Sequence, residues 1–283
     1  MSYNGIEIFF QNLGDADSIF VRHWDNGTCT NILIDGGYKK DHDQVVKFLG
    51  DRARETGIST IHHLVCSHCH DDHAGGLVKL VADGPDIPIQ FAWVNDTRGD
   101  HETLNLHREV MLGAYGARRL LSKIKASEQT RLDLLEALHA RNVPTFSPFA
   151  GDQIGPLFVL GPSEEFFDEQ FRKLTDSSTV KALNERLEQR NREILLGQNQ
   201  FELKAADALK ELGGEPTSPE NEVSTILALI WDGRVNLLTA DAGCEGLASA
   251  IDNSLGIATN NLRWMQVPHH GSRRNLNQGL INH

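Results

Sequence analysis

The chain has 283 residues, 40% of them apolar and 23% charged, enough for one large folded domain or two smaller ones and unlike a disordered or fibrous chain. Its 27 basic and 39 acidic residues leave a formal charge of −12, which repels nucleic acid unless basic residues cluster or metal ions supply positive charge. No apolar run approaches the roughly 18 residues of a membrane span, the first residues lack a signal-peptide pattern, and the cysteines show no disulfide-framework spacing, so a cytoplasmic protein with no membrane partner is expected.

Segments 6–10, 18–23 and 30–35 are short, rich in Ile, Phe and Val, and separated by turn-prone stretches, the pattern of an antiparallel meander. Asn26-Gly27 suits a tight hairpin between the second and third. Residues 41–55 carry an apolar stripe (Val45, Val46, Phe48 and Leu49) that predicts a helix. A strand at 62–67 leads into a His/Asp-rich loop, a helix at 76–82 and a strand at 87–94. Between about 102 and 215 the periodicity turns helical, at 106–124, 128–141, 179–196 and 201–212, around a short strand at 156–161. This segment is expected to be a largely helical insertion packing on the core of a single domain spanning 1–283. The other reading makes it a surface for a protein partner or a second copy of the chain. After a Gly/Pro-rich loop at 213–219, segments 223–231 and 235–239 form a second hairpin around Asp232-Gly233. A helix at 245–252 and a strand at 262–267 lead to Pro268-His269-His270-Gly271-Ser272.

The chemistry is concentrated in Ser67-His68-Cys69-His70-Asp71-Asp72-His73-Ala74-Gly75-Gly76, which contains the pattern H-x-H-x-D-H. Residues two apart in an extended loop point the same way, so His68 and His70 can converge on one ion. A turn after them lets Asp72 and His73 face a second ion a few ångströms away. Imidazole and carboxylate donors suit zinc, manganese or iron. Cys66 and Cys69 form a C-x-x-C pair, but the strand-to-loop step between them puts them on different elements, against a redox or zinc-ribbon role. A loop-borne cluster should also be removable without loss of the core.

On these residues the chain resembles the metallo-β-lactamase superfamily. The resemblance implies an α+β fold, an αββα sandwich with a helical insertion, and two divalent ions, zinc or manganese, at one edge between the sheets. It also implies roles along the later sequence. Leu237-Leu238-Thr239-Ala240-Asp241 matches the strand-then-Asp pattern in which the family's Asp bridges the metals. His269 and His270 both offer the last ligand; His270 is favoured because the family's ligand often precedes a small residue, which leaves His269 as the general-acid candidate. The implied ligand set is His68, His70, Asp72, His73, Asp241 and His270, with Asp72 and His269 in catalytic roles. Asp35 lies where it could orient a histidine, or simply end a hairpin turn.

Residues 12–19 and 32–37, with the closing His-His-Gly-Ser, look like the hydrolase domain of ComEC-type DNA-uptake proteins. That likeness implies phosphodiester chemistry on a nucleic acid or nucleotide, by a hydroxide formed from a water shared by the metals, with its pKa lowered to about 7. The alternatives are hydrolysis of a small ester, lactone or phosphocholine-like substrate, and a metal-binding subunit of a larger assembly without turnover. Two departures stand out. The family often has a third histidine before the strand that leads to the bridging Asp. Residues 219–224 hold none, leaving the ion of His68 and His70 to Asn221 or water, with His101, His107 and His139 as substitutes only if the insertion folds back. The chain also ends eleven residues after Ser272, where this fold normally adds a strand or helix, so truncation at the C-terminus is expected.

Overall fold

The computed structural model describes residues 4–96, 118–175, 217–254, 261–272 and 274–281. The first sheet runs in the order β1-β2-β3-β4-β5-β6, from β1 (Gly5–Phe10), β2 (Ile19–Asp25), β3 (Thr28–Ile34), β4 (Ile61–Cys66), β5 (Ile89–Val94) and β6 (Thr145–Phe146). Its first three strands are the expected antiparallel meander, and β3 to β6 are parallel. The second sheet, β11-β10-β9-β8-β7, uses β7 (Gln153–Ile154), β8 (Leu157–Gly161), β9 (Ile226–Trp231), β10 (Arg234–Leu238) and β11 (Leu262–Met265). Here only β10 and β11 are parallel. Both predicted hairpins form: Asn26-Gly27 and Asp232-Gly233 have positive φ at each central residue, as a two-residue turn matched to strand twist requires.

The helices are α1 (His42–Thr56), α2 (Asp71–Ala82), α3 (Arg118–Ala140), α4 (Glu164–Thr175), α5 (Pro219–Glu222), α6 (Cys244–Asp252) and α7 (Gln278–Ile281). Strand alternation sorts the apolar side chains into layers. On β3, Leu33 joins Val45, Leu49, Leu77, Leu80, Leu134 and Leu138 under α1, α2 and α3, whereas Ile32 and Ile34 face the other sheet. On β9, Leu227 and Leu229 meet them from the far side, while Ile226 and Ala228 turn outward to Leu247 and Ala250 of α6. Helices, sheet, sheet and helices therefore stack as an αββα sandwich. Truncating a fully buried Leu such as Leu64 or Leu157 costs about 2–5 kcal/mol, which sets the scale of each layer's contribution.

Three differences from the predicted elements have physical causes. Helix α2 begins at Asp71, not at 76, so Asp72 and His73 stand in its first turn instead of in a loop. Gly75 and Gly76 disguise that start, although Asp71 and Asp72 favour it through the helix dipole. Helix α3 runs unbroken through Ala126 and Ser127, where two helices were expected. Helix α4 was not foreseen; Phe167 and Phe171 stack 4.7 Å apart on it, and Phe167 packs with Phe149 and Val223. Within the segment read as an insertion, β6, β7 and β8 join the two sheets. The helices expected at 179–196 and 201–212, and the first part of that at 106–124, lie outside the described residues. No described helix is long and apolar enough to cross a membrane.

Candidate metal centre

Asp35 follows β3 with a φ of 58°, a conformation that a non-glycine residue keeps only when its surroundings fix it. Its carboxylate makes the fixing contacts. Oδ1 accepts the Ser67 backbone N–H at 2.8 Å; Oδ2 accepts the Ser67 hydroxyl at 2.6 Å and His73 Nδ1–H at 2.8 Å. The next residues lie against the first turn of α2: Gly36 N–H donates to the His73 carbonyl and Gly76 N–H to the Gly37 carbonyl, at 2.8 and 2.7 Å. A Cβ on Gly36 would sit 2.7 Å from Leu77 N, and one on Gly76 would overlap the Gly36 carbonyl. The two glycine pairs thus serve one close approach of backbone to backbone.

After β4 the chain bends at Ser67 and His68 before His70, whose own φ and ψ are extended at −69° and 152°, and His68 Nε2 comes within 3.1 Å of His70 Nδ1. Asp241 arrives from the other sheet, after β10. Its Oδ1 is 3.2 Å from His73 Nε2 and its Oδ2 is 3.8 Å from His68 Nε2. After β11, His269 and His270 take successive positive φ values of 51° and 52°. Their rings diverge: His269 Nε2 lies 3.5 Å from Asp241 Oδ2, while His270 Nε2 lies 3.5 Å from Asp72 Oδ2 and 3.8 Å from Asp241 Oδ1.

Two groups of donors result, each with its ligand atoms within 4.8 Å of one another: Asp72, His73, Asp241 and His270 in one, His68, His70 and Asp241 in the other. Asp241 is common to both. All six residues of the expected ligand set meet at the edge of the sandwich. His269, expected as the proton donor, turns Nε2 toward Asp241. Asn221 meets the opposite edge of that ring, Nδ2 to Nδ1, at 3.2 Å. His139 is exposed on α3, and His101 and His107 lie outside the described residues. Cys66 and Cys69 are buried, and their thiols donate to the carbonyls of His68 and Asn95.

The electrostatics suit cations. Burial holds the His68 ring far below its ordinary pKa, with neighbouring imidazoles adding to the effect, so it is a neutral donor. Burial opposes a charge on His73 too, but Asp35 and Asp241 outweigh it and raise its pKa. Burial pushes the Asp72 carboxyl up; the His270, His73 and His70 rings overcome this and hold it at about 2. Asp241 is likewise pushed up by burial and pulled lower overall, chiefly by His73. Four carboxylates (Asp17, Asp35, Asp72 and Asp241) crowd these imidazoles, a charge that two divalent ions would offset. His73 Nε2 and Asp241 Oδ1 are buried with no hydrogen-bond partner, the condition of atoms whose natural partner is a cation. The donor set and these orphaned atoms fit a metal centre.

Further residues support the site. Ser67 gives its hydroxyl proton to Asp35, so its oxygen accepts from His68 Nδ1 at 3.3 Å. Asp17 Oδ2 accepts from Gln266 Nε2 at 2.8 Å and its Oδ1 stands 3.7 Å from His270 Nδ1, with burial raising its pKa. Asn275 donates Nδ2–H to the carbonyls of Asp241 and Ala242. Asp17 lies inside the 12–19 segment already singled out, and its acidity next to a turn was the available signal. Nothing in the sequence marks Asn275 or Gln266.

The chain is similar to known proteins over part of its length. The model of the metallo-beta-lactamase superfamily matches residues 12–89. A stretch of 59 residues, 21% of this chain, is 37% identical to the anaerobic nitric oxide reductase flavorubredoxin homolog of Escherichia coli O157:H7 and to the flavorubredoxin of E. coli K12, and spans 14% and 12% of those proteins. Among solved structures, the hydrolase AbOPH of the beta lactamase superfamily covers 94% of this chain, and 86% of its own, at 10% identity and a TM-score of 0.46. A metallo beta lactamase from Hirschia baltica covers 92% of this chain, and 84% of its own, at 10% identity and a TM-score of 0.37. The match over 12–89, which holds Asp17, Asp35 and the whole His68–His73 run, makes that part of the chain similar to the metallo-beta-lactamase superfamily.

Proposed function

We propose that the chain is a metal-dependent hydrolase, a phosphodiesterase, that holds two divalent ions, zinc or manganese, through His68, His70, Asp72, His73, Asp241 and His270. The observation that carries this reading is Asp241, whose two oxygens face two different groups of donors. Ions bound there would supply Lewis acidity and an acidified water for attack on an electrophilic centre. The chain's own residues set the stage for that. Asp35 and Ser67 fix which nitrogens of His73 and His68 face inward, and Asp72, ionised throughout the neutral range, serves as ligand and proton acceptor.

The choice of phosphodiesters rests on the ComEC-like motifs. Among the described residues no Lys or Arg pairs with Asp17, Asp35, Asp72 or Asp241, which favours a short diester over a long nucleic acid. The same acidity supports a second reading, hydrolysis of an uncharged ester or lactone. Imidazole and carboxylate also suit iron. Protein reconstituted with Mn²⁺, Zn²⁺ or Fe²⁺ should hydrolyse bis-p-nitrophenyl phosphate and lose that activity to a chelator. Turnover of p-nitrophenyl esters or lactones alone would select the second reading. Stoichiometric metal with no turnover on any of them would make this a binding subunit.

A further inference from the structure

The family's third histidine is missing from 219–224, and the His68–His70–Asp241 group is one imidazole short of a four-donor set. Asn275 points to what fills the gap. It is wholly buried, and both protons of its amide are engaged, by the Asp241 carbonyl at 2.8 Å and the Ala242 carbonyl at 3.1 Å. Its orientation is therefore fixed, and its Oδ1 faces His269 Nδ1 at 3.1 Å. An amide oxygen only accepts, so Nδ1 carries the proton and Nε2 keeps its lone pair. That lone pair is directed at Asp241 Oδ2, 3.5 Å away. Asn221 Nδ2 stands 3.2 Å from both His269 Nδ1 and Thr217 Oγ1, so this tautomer requires the Asn221 amide turned by half a rotation, with its oxygen toward His269 Nδ1–H and the Thr217 hydroxyl.

We infer that His269 is a ligand of the ion shared by His68, His70 and Asp241, and that Asn275 is the positioning residue that makes it one. This rests on the two-ion reading of the site. Donor atoms about 2.0–2.2 Å from one tetrahedral ion stand about 3.4 Å apart. The spacings around Asp241 Oδ2 are 3.5 Å to His269 and 3.8 Å to His68, with 3.1 Å between His68 and His70. Around Asp241 Oδ1 they are 3.2 Å to His73 and 3.8 Å to His270. Oδ1 thus serves the four-donor group of Asp72, His73, Asp241 and His270, while on the Oδ2 side His269 approaches that oxygen from outside the close group of His68, His70 and Asp241; the adjacent histidines, turned apart by their positive φ, go one to each oxygen. Every Nε2 donor is backed on Nδ1: His68 by Ser67, His73 by Asp35, His270 by Asp17 and His269 by Asn275. Asn221 stands behind the ring and is not the substitute ligand.

The test is calorimetric titration of chelator-stripped protein with Zn²⁺, following binding rather than turnover. Wild type should bind two ions. His269→Ala should weaken the step that His70→Ala also weakens, by tenfold or more, and spare the step lost in His270→Ala; Asn221→Ala should leave both within about twofold. Asn275→Leu should weaken the His269 step by about ten- to a hundredfold. If that buried substitution unfolds the protein, the ¹⁵N shifts of His269 in metal-free wild type decide the point, since they report which ring nitrogen bears the proton. Protonation at Nε2, two undiminished ions in His269→Ala, or loss of the His270 step instead would overturn the assignment and leave the two-ion centre standing. A wild-type protein that binds no divalent ion would remove the centre itself.

Discussion

Asp35 Oδ2 and His73 Nδ1 lie 2.8 Å apart, both buried, and the same carboxylate holds Ser67 through its N–H and hydroxyl. One side chain therefore aligns β3, β4 and the first turn of α2. Asp35→Asn keeps the volume but places an NH₂ against donors. The ion held with His73 should bind tenfold or more weakly, with the other ion little changed, as calorimetry on the stripped protein would record. Unaltered affinity at both positions would show that the contact serves folding alone.

Asp72 and His73 are neighbours with different structural duties. Asp72→Ala should abolish phosphodiester hydrolysis and leave the melting temperature of the metal-free protein nearly unchanged, since its side chain is 22% exposed. His73 is fully buried, so the expectation that the cluster can be removed without touching the core does not extend to it. His73→Ala should cost about 3 kcal/mol or more, because it opens a cavity and strips Asp35 of a partner. Equal melting temperatures for the two variants would contradict this division.

The interlocked glycines give a contrast within one protein. Gly76→Ala meets the Gly36 carbonyl and should cost about 3 kcal/mol or more. Gly50, inside α1, has only Arg54 Nη1 within reach of a new Cβ, at 3.7 Å, so Gly50→Ala should stabilise by about 0.5–1 kcal/mol. Urea denaturation would measure both.

Glu222 caps α6 from within: Oε2 accepts Gly246 N–H at 2.8 Å and the carboxyl lies against Gly243. Burial pushes its pKa up to about 7, with Glu245 adding to the rise while the Gly246 N–H and Lys173 oppose it. A carboxyl raised in the folded state favours the native protein below its unfolded pKa of about 4.5 and loses that contribution as pH climbs through about 7. The loss amounts to about 3 kcal/mol. Glu222→Gln cannot lose a proton, so the variant should gain on wild type from about pH 4.5 to about 7 and hold a constant lead above that. Unfolding at several pH values tests it; a constant difference between the two proteins across that rise would refute the account.

Much of this was legible in the chain because period and turn chemistry agreed. The alternation of β1 to β3 and the Asn-Gly and Asp-Gly turns fixed both hairpins, and H-x-H-x-D-H with Asp241 and His270 named donors that the fold does bring together. What stayed hidden had tertiary causes. The start of α2 was masked by glycines whose purpose appears only when Gly36 lies beside them. Helix α4 has its aromatic face matched by Phe149 and Val223, distant in sequence. The role of His269 depends on Asn275, and a lone Asn carries no pattern.

The shared carboxylate of Asp241 has a mechanical side. Asp35, His68, His70, Asp72 and His73 follow strands of one sheet, whereas Asp241, His269 and His270 follow strands of the other, and the layer between the sheets is apolar, with hydrogen bonds such as Thr225 N–H to the Ser67 carbonyl and Gln266 to Asp17 crossing near the site. Cations seated at this edge would rivet the two sheets together. Loading and unloading them changes how readily the sheets part, so amide exchange across β10 and β11 should slow when divalent ions are supplied, even in residues that touch no ligand.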